Sequence, residues 1–171
     1  MAGSQTPAWM DRITESWAHS YPEQDVSVLP AMVRISRLGM LGEAFHRETL
    51  TAFDLQPSDY SVLAALRRQD PERALSPSAL YYTLERSSGG MTKMLRRLED
   101  RGLVERVPDP DDGRASHVRM TPAGRKLERE IFELSLERSR ALLADLSPAE
   151  LAEADAWLKQ LLGCLERHFY R

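Results

Sequence analysis

A single cysteine, Cys164, in a chain of 171 residues excludes an intramolecular disulfide and a thiolate-rich metal cluster. Its neighbours Leu161, Leu162 and Leu165 give it the apolar setting of an inert core residue rather than of a redox switch. No apolar run approaches the roughly 20 residues of a membrane span. The opening MAGSQTPAW lacks the charged start and apolar centre of a signal peptide, so a cytoplasmic chain is expected. The histidines His19, His46, His117 and His168 are scattered without ligand spacing, whereas tetrahedral zinc needs four convergent ligands; no metal and no cofactor is expected. There is no nucleotide-binding loop, no Ser/His/Asp signature and no HExxH helix, which argues against an enzyme.

What is present is enough apolar material, 42% of residues, to pack one domain. The formal net charge of −3 is unevenly spread. Residues 76–126 hold 10 Lys or Arg and 7 Asp or Glu, a local balance of +3, so the remainder carries −6. A basic region in an acidic chain suits a polyanionic partner, the acidic part disfavouring misoriented approach.

The basic region contains SSGGMTKMLRRLEDRGLVERVPDPDDGRASHVRMT, from Ser87 to Thr121. Ser87 or Ser88 can cap a helix whose apolar face is Met91, Met94, Leu95 and Leu98, and Gly102 can end it in the left-handed conformation. Gly89, Thr92, Lys93, Arg96 and Asp100 then point away from the core, with Arg97 at the edge. Such a face suits a DNA groove; alternatively it is a solvated face held by ion pairs such as Arg96 with Asp100. Two short strands follow, Leu103 to Val107 and Ser116 to Met120, joined by a turn at Asp112-Gly113 that places Arg114 at the tip. An arginine there can enter a minor groove or pair with Asp111 or Asp112.

Elsewhere, residues 7–21 are expected to form a short helix with Trp9, Ile13 and Trp17 on one apolar face. In a long helix over about 28–50, Leu29, Met32, Val33, Leu38, Leu41 and Phe45 would form an apolar side. Pro57 opens a third helix with Tyr60, Leu63 and Leu66 inward, and Ser76-Pro77 caps and starts a short fourth. Thr121-Pro122 and the capping box Ser147-Pro148-Ala149-Glu150 start the last two helices. The stripe Leu151, Ala154, Leu158, Leu161, Leu165 and Phe169, widened by Trp157 and Leu162, exceeds what a terminal helix buries in a small domain. It implies a partner helix, with part of the face on the long helix of the same subunit.

The SSGGMTK helix start, the RLEDRGLVER run, the DPDDGR turn and VRMTPAGR resemble the MarR family of winged helix-turn-helix regulators. The resemblance implies a mainly α fold with a small β wing and with N- and C-terminal dimerisation helices. It divides the chain into an extension, 1–27, and a domain, 28–171, with the helix-turn-helix at about 76–101, the wing at about 103–121 and dimerisation helices at about 28–50 and 122–171. It further implies a homodimeric regulator, usually a repressor, that binds double-stranded DNA at a pseudopalindromic operator through Ser87, Ser88, Thr92, Lys93, Arg96, Arg97 and Arg114, with Asp112 bracing the wing. The alternative is a winged helix used only for protein contacts or dimerisation. Two departures are Gly113, where many members have a second arginine, and Met94, where a basic residue is common.

Most members of that family respond to a small, often aromatic and anionic ligand, here expected among Trp17, Arg106, His46 and Tyr60. The extra N-terminal helix is shared with urate-responsive members. Trp17 and Arg106 match two positions of their ligand signature, but Ser61 and Met94 replace its aspartate and its recognition-helix arginine. A flatter, more apolar aromatic anion than urate is therefore expected.

Overall fold

The computed structural model describes residues 8–69, 74–84, 88–108 and 116–169. In chain order these form α1 (Ala8–Ser20), α2 (Leu29–Thr51), α3 (Pro57–Gln69), α4 (Pro77–Leu84), α5 (Ser88–Asp100), β1 (Val104–Pro108), β2 (Ser116–Met120), α6 (Pro122–Leu142) and α7 (Pro148–Phe169). Proline opens α3, α4, α6 and α7, where its missing N–H has no intrahelical partner to lose. Side-chain caps complete three of these starts. Ser76 Oγ accepts from the Ala79 amide at 3.1 Å, Thr121 Oγ1 from Gly124 at 3.0 Å and Ser147 Oγ from Glu150 at 3.3 Å. Glu150 closes the capping box by accepting from the Ser147 amide at 2.8 Å.

The core lies where α3, α4, α5, α6 and the β hairpin meet. Val62, Leu63, Leu66, Leu80, Leu95, Leu98, Val118, Met120 and Ile131 are almost fully buried there. α5 contributes Met91, Met94, Leu95 and Leu98, at helical spacing. Gly102 ends it at φ 65. The strands pair antiparallel with Val104 opposite Met120 and Arg106 opposite Val118, which puts all four on the core face of the ribbon. A third segment joins the sheet. Leu75 exchanges both backbone hydrogen bonds with Val118, at 2.9 and 2.8 Å, so the residue just before α4 is tied to the wing.

The apolar faces read in the sequence are covered unevenly within one chain. In α1 it is Met10 that is buried, at 6% exposure, with Ile13 half-buried, whereas Trp9 and Trp17 are exposed and Trp17 stacks on Tyr21 at 5.5 Å. Met32, Leu38 and Leu41 of α2 are likewise exposed. No residue of α7 is buried, so α7 does not bury part of its face on α2 within the chain, and Cys164 is exposed beside Arg167 rather than in a core. No helix among the described residues is long and apolar enough to cross a membrane.

Candidate nucleic-acid interface

The four apolar residues that lock α5 into the core leave one outward strip. Thr92, Lys93, Arg96 and Asp100 are exposed. Among the described residues no ion pair holds Lys93 or Arg96, and the Arg96–Asp100 pair of the alternative solvated-face reading is not formed. Two cations on the outer side of a helix that cannot turn over without exposing its core face are a fixed positive strip. Ser88 starts the helix. Ser87, Asp112 and Arg114 lie outside the described residues, and so does the side chain of Ser88.

Arg97, expected among the DNA-facing cations, is committed elsewhere. Its Nε and Nη2 donate to Asp59 Oδ2 and Oδ1 at 3.2 and 2.5 Å. Asp59 sits in the first turn of α3 and is only 4% exposed. Hydrogen bonding to that carboxylate holds the Arg97 guanidinium above its usual pKa. Sequence reasoning missed this pairing, because the partners are 38 residues apart and Asp59 alone reads as an ordinary N-terminal helix acid. One turn further on, Arg101 donates to the backbone carbonyls of Asp54 and Phe53, so α5 is fastened twice to the start of α3 and the loop before it.

Arg106 also turns back onto α5. Because it shares the core face of the ribbon with Val118, its Nε lies 2.7 Å from Glu99 Oε1, a charge contact rather than an aligned hydrogen bond. On the opposite face Arg119 Nε donates to Glu105 at 2.8 Å. The first contact ties the base of the wing to α5, and the second spans the ribbon itself.

The four residues expected to share a ligand pocket do not come together within one chain. His46 and Tyr60 line a pocket of ≈ 390 Å³ between α2 and α3, with Arg47, Leu50, Pro57, Ala64, Arg68 and Leu84. Arg106 lines a different one with Tyr81, Tyr82 and Thr92, and Trp17 lies at neither. Beside Tyr60, Glu128 of α6 pairs with Arg67 at 3.5 Å. Burial raises the Glu128 pKa, and burial, with the Glu128 charge second, raises that of Tyr60. Among the described residues no cluster of three or more His, Cys, Asp or Glu could hold a metal ion.

The sequence model of the MarR family matches residues 53–115, from the loop before α3 to the segment between the strands. The chain is 28% identical to the HTH-type transcriptional regulator PecS of Dickeya dadantii over 156 residues, 91% of this chain and 92% of that protein. It is 30% identical to the multiple antibiotic resistance protein MarR of Salmonella typhimurium over 118 residues, 66% of this chain and 77% of that protein. Among solved structures, a mutant MarR from Escherichia coli complexed with operator DNA superposes with a TM-score of 0.67 at 26% identity, covering 80% of this chain and 96% of that one. In sequence and in its winged-helix fold, the chain belongs to the MarR family.

Proposed function

We propose that the protein is a homodimeric transcriptional repressor that binds a pseudopalindromic operator in double-stranded DNA and releases it on binding a small aromatic anion. The observation that carries this reading is the outer strip of α5. Lys93 and Arg96 stand exposed beside Thr92 on a helix whose other side is locked into the core, next to a wing cross-linked to it. A MarR neighbour of the same fold in complex with operator DNA supports it. In this reading Ser87 and Ser88 bring the N-terminus of α5 to a phosphate, Lys93 and Arg96 reach phosphate or base edges, and Arg114, braced by Asp112, enters the adjacent minor groove. A winged helix used only for protein contacts gives the exposed cations no task.

The test is selection of tightly bound duplexes from a random-sequence library, followed by titration of the best one against salt. Lys93→Ala is expected to flatten the log–log salt dependence by about one unit, the signature of one lost phosphate contact. Arg114→Ala is expected to weaken the selected operator without lowering the melting temperature, since a minor-groove arginine packs against no core. Unchanged operator affinity in both variants would refute the interface.

For the effector, the pocket holding His46 and Tyr60 offers apolar walls from Leu50, Pro57, Ala64 and Leu84; Arg47 is paired to Glu43 at 3.8 Å, which leaves Arg68 as its cation for an anion. That combination suits a flat ring bearing one carboxylate or phenolate. Calorimetry over urate, xanthine and simple aromatic carboxylates should find binding, with release from operator DNA, among the carboxylates and little for urate. Ser61 supplies no carboxylate to orient a polar purine, and Met94 is buried in the core. Tight urate binding would show the ligand class to be wrong.

A further inference from the structure

The apolar anchorage of α5 is soft where it matters most. Two of its four buried contacts, Met91 and Met94, are unbranched thioethers that follow small rotations of the helix at little cost. Leu95 and Leu98 hold its other half, and the finer angle is held by polar contacts. Asp59, 4% exposed on α3, grips Arg97 through both carboxylate oxygens, at 2.5 and 3.2 Å, a side-on fork that tolerates little change of angle. The Arg97 side chain, 42% exposed, borders a pocket of ≈ 510 Å³ that Thr51, Asp54 and Gln56 also line. On a helix of 3.6 residues per turn, Lys93 lies about 40° and Arg96 about 100° around the axis from Arg97. Fixing Arg97 therefore fixes the direction in which both exposed cations point. Resting on the DNA-binding reading above, we infer that Asp59 is a positioning residue for operator recognition: by clamping Arg97 to α3 it sets the rotation of α5 and so aims Lys93 and Arg96, without touching DNA itself.

The competing account is that Arg97 is itself a DNA contact and that Asp59 holds it back. The two predict opposite signs. Asp59→Asn adds one positive charge to the protein, so electrostatics alone would tighten binding to any duplex, and an Arg97 released toward DNA would tighten it further. Loss of aim instead weakens the sequence-specific complex while leaving attraction to unrelated DNA intact. Arg97→Lys provides the second variant, because it keeps the charge and loses the fork.

The experiment measures dissociation constants of the full-length wild type, Asp59→Asn, Arg97→Lys and the double variant for the library-selected operator and for an unrelated duplex of equal length, at one salt concentration, with melting temperatures recorded alongside. Expected is a loss of about tenfold on the operator in each single variant, little change on the unrelated duplex, and a double variant no worse than the singles. Should Asp59→Asn fail to fold, Asp59→Glu takes its place, because the longer carboxylate keeps the charge that would hold Arg97 back while it displaces the fork. Operator binding as tight as wild type or tighter in either single variant, or a parallel loss on both duplexes, would overturn the assignment of Asp59. A wild type that enriches no duplex from the library would instead bring down the DNA-binding reading, and this inference with it.

Discussion

Removal of α7, by ending the chain after Leu146, is expected to yield a monomer that sediments at less than half the mass of a full-length dimer and has lost its hold on a two-half-site operator. Trp157, Leu158, Leu162 and Phe169 are 60, 50, 55 and 73% exposed on one helix, a concentration of apolar surface that a soluble chain covers with a partner. Among the described residues none of α7 is buried, so its apolar face stays largely uncovered. Exposed Met32, Leu38 and Leu41 on α2 add a second uncovered apolar surface on an element next to the core. A two-fold partner is the simplest cover, because one patch then buries its own copy. Two recognition helices held in one dimer bind two half-sites with an effective concentration that raises affinity by about 10²–10⁴ over a single half-site. The truncated chain should therefore lose at least about a hundredfold on the selected operator, while a single-half-site duplex, already contacted by one α5, changes little. A truncated chain that still sediments as a dimer and retains operator affinity would place the dimer elsewhere.

The exposed stripe also shows where sequence reasoning stops. An apolar helix face looks the same whether its own chain or a second copy covers it, so Cys164, set among leucines, read as core and stands exposed on the single chain. The same ambiguity misassigned α1, where Trp9 and Trp17 suggested the inward face and Met10 holds it. Element boundaries were far more legible. Pro57, Pro77, Pro122 and Pro148 open the helices that they were expected to open, and Gly102 ends α5, because these residues act through their own backbone chemistry. Val118 and Met120 are buried as their alternation predicts. Long-range pairings left no local trace. The bridge of Leu75 to Val118 involves one residue with no alternating neighbour, and the Asp59–Arg97 clamp joins groups that local spacing cannot relate. For the same reason Arg106 was grouped with Trp17, His46 and Tyr60, and the fold separates them by giving Arg106 to Glu99.

Gly124→Ala is expected to be the most damaging small substitution in the hinge between wing and α6. A Cβ on Gly124 would lie 1.9 Å from the carbonyl oxygen of Leu103 and 2.9 Å from its carbon, both backbone atoms that no rotamer change can move aside. That carbonyl is already engaged, accepting from the Thr121 amide at 3.1 Å. Thr121 in turn donates its hydroxyl to the Gly102 carbonyl at 2.6 Å and accepts from the Gly124 amide at 3.0 Å. To admit one methyl group the first turn of α6 must retreat from residues 102–103, which pulls on the Thr121 cap and on the start of β1 together. Overpacking of this kind costs about 3 kcal/mol or more, and for a chain of this length that lowers the melting temperature by about 6–12 °C. Gly102→Ala isolates the other use of glycine. Its φ of 65 strains any side chain, yet nothing lies within 4 Å of a Cβ there, so its cost should stay near about 1 kcal/mol. Thermal unfolding at a single protein concentration compares the two. Because the wing hangs from the same junction, Gly124→Ala should also lower operator affinity at temperatures where it remains folded. A Gly124→Ala variant that melts within about 2 °C of the wild type would mean that α6 and the wing can part without loss, and that the close backbone approach at this hinge holds nothing in place.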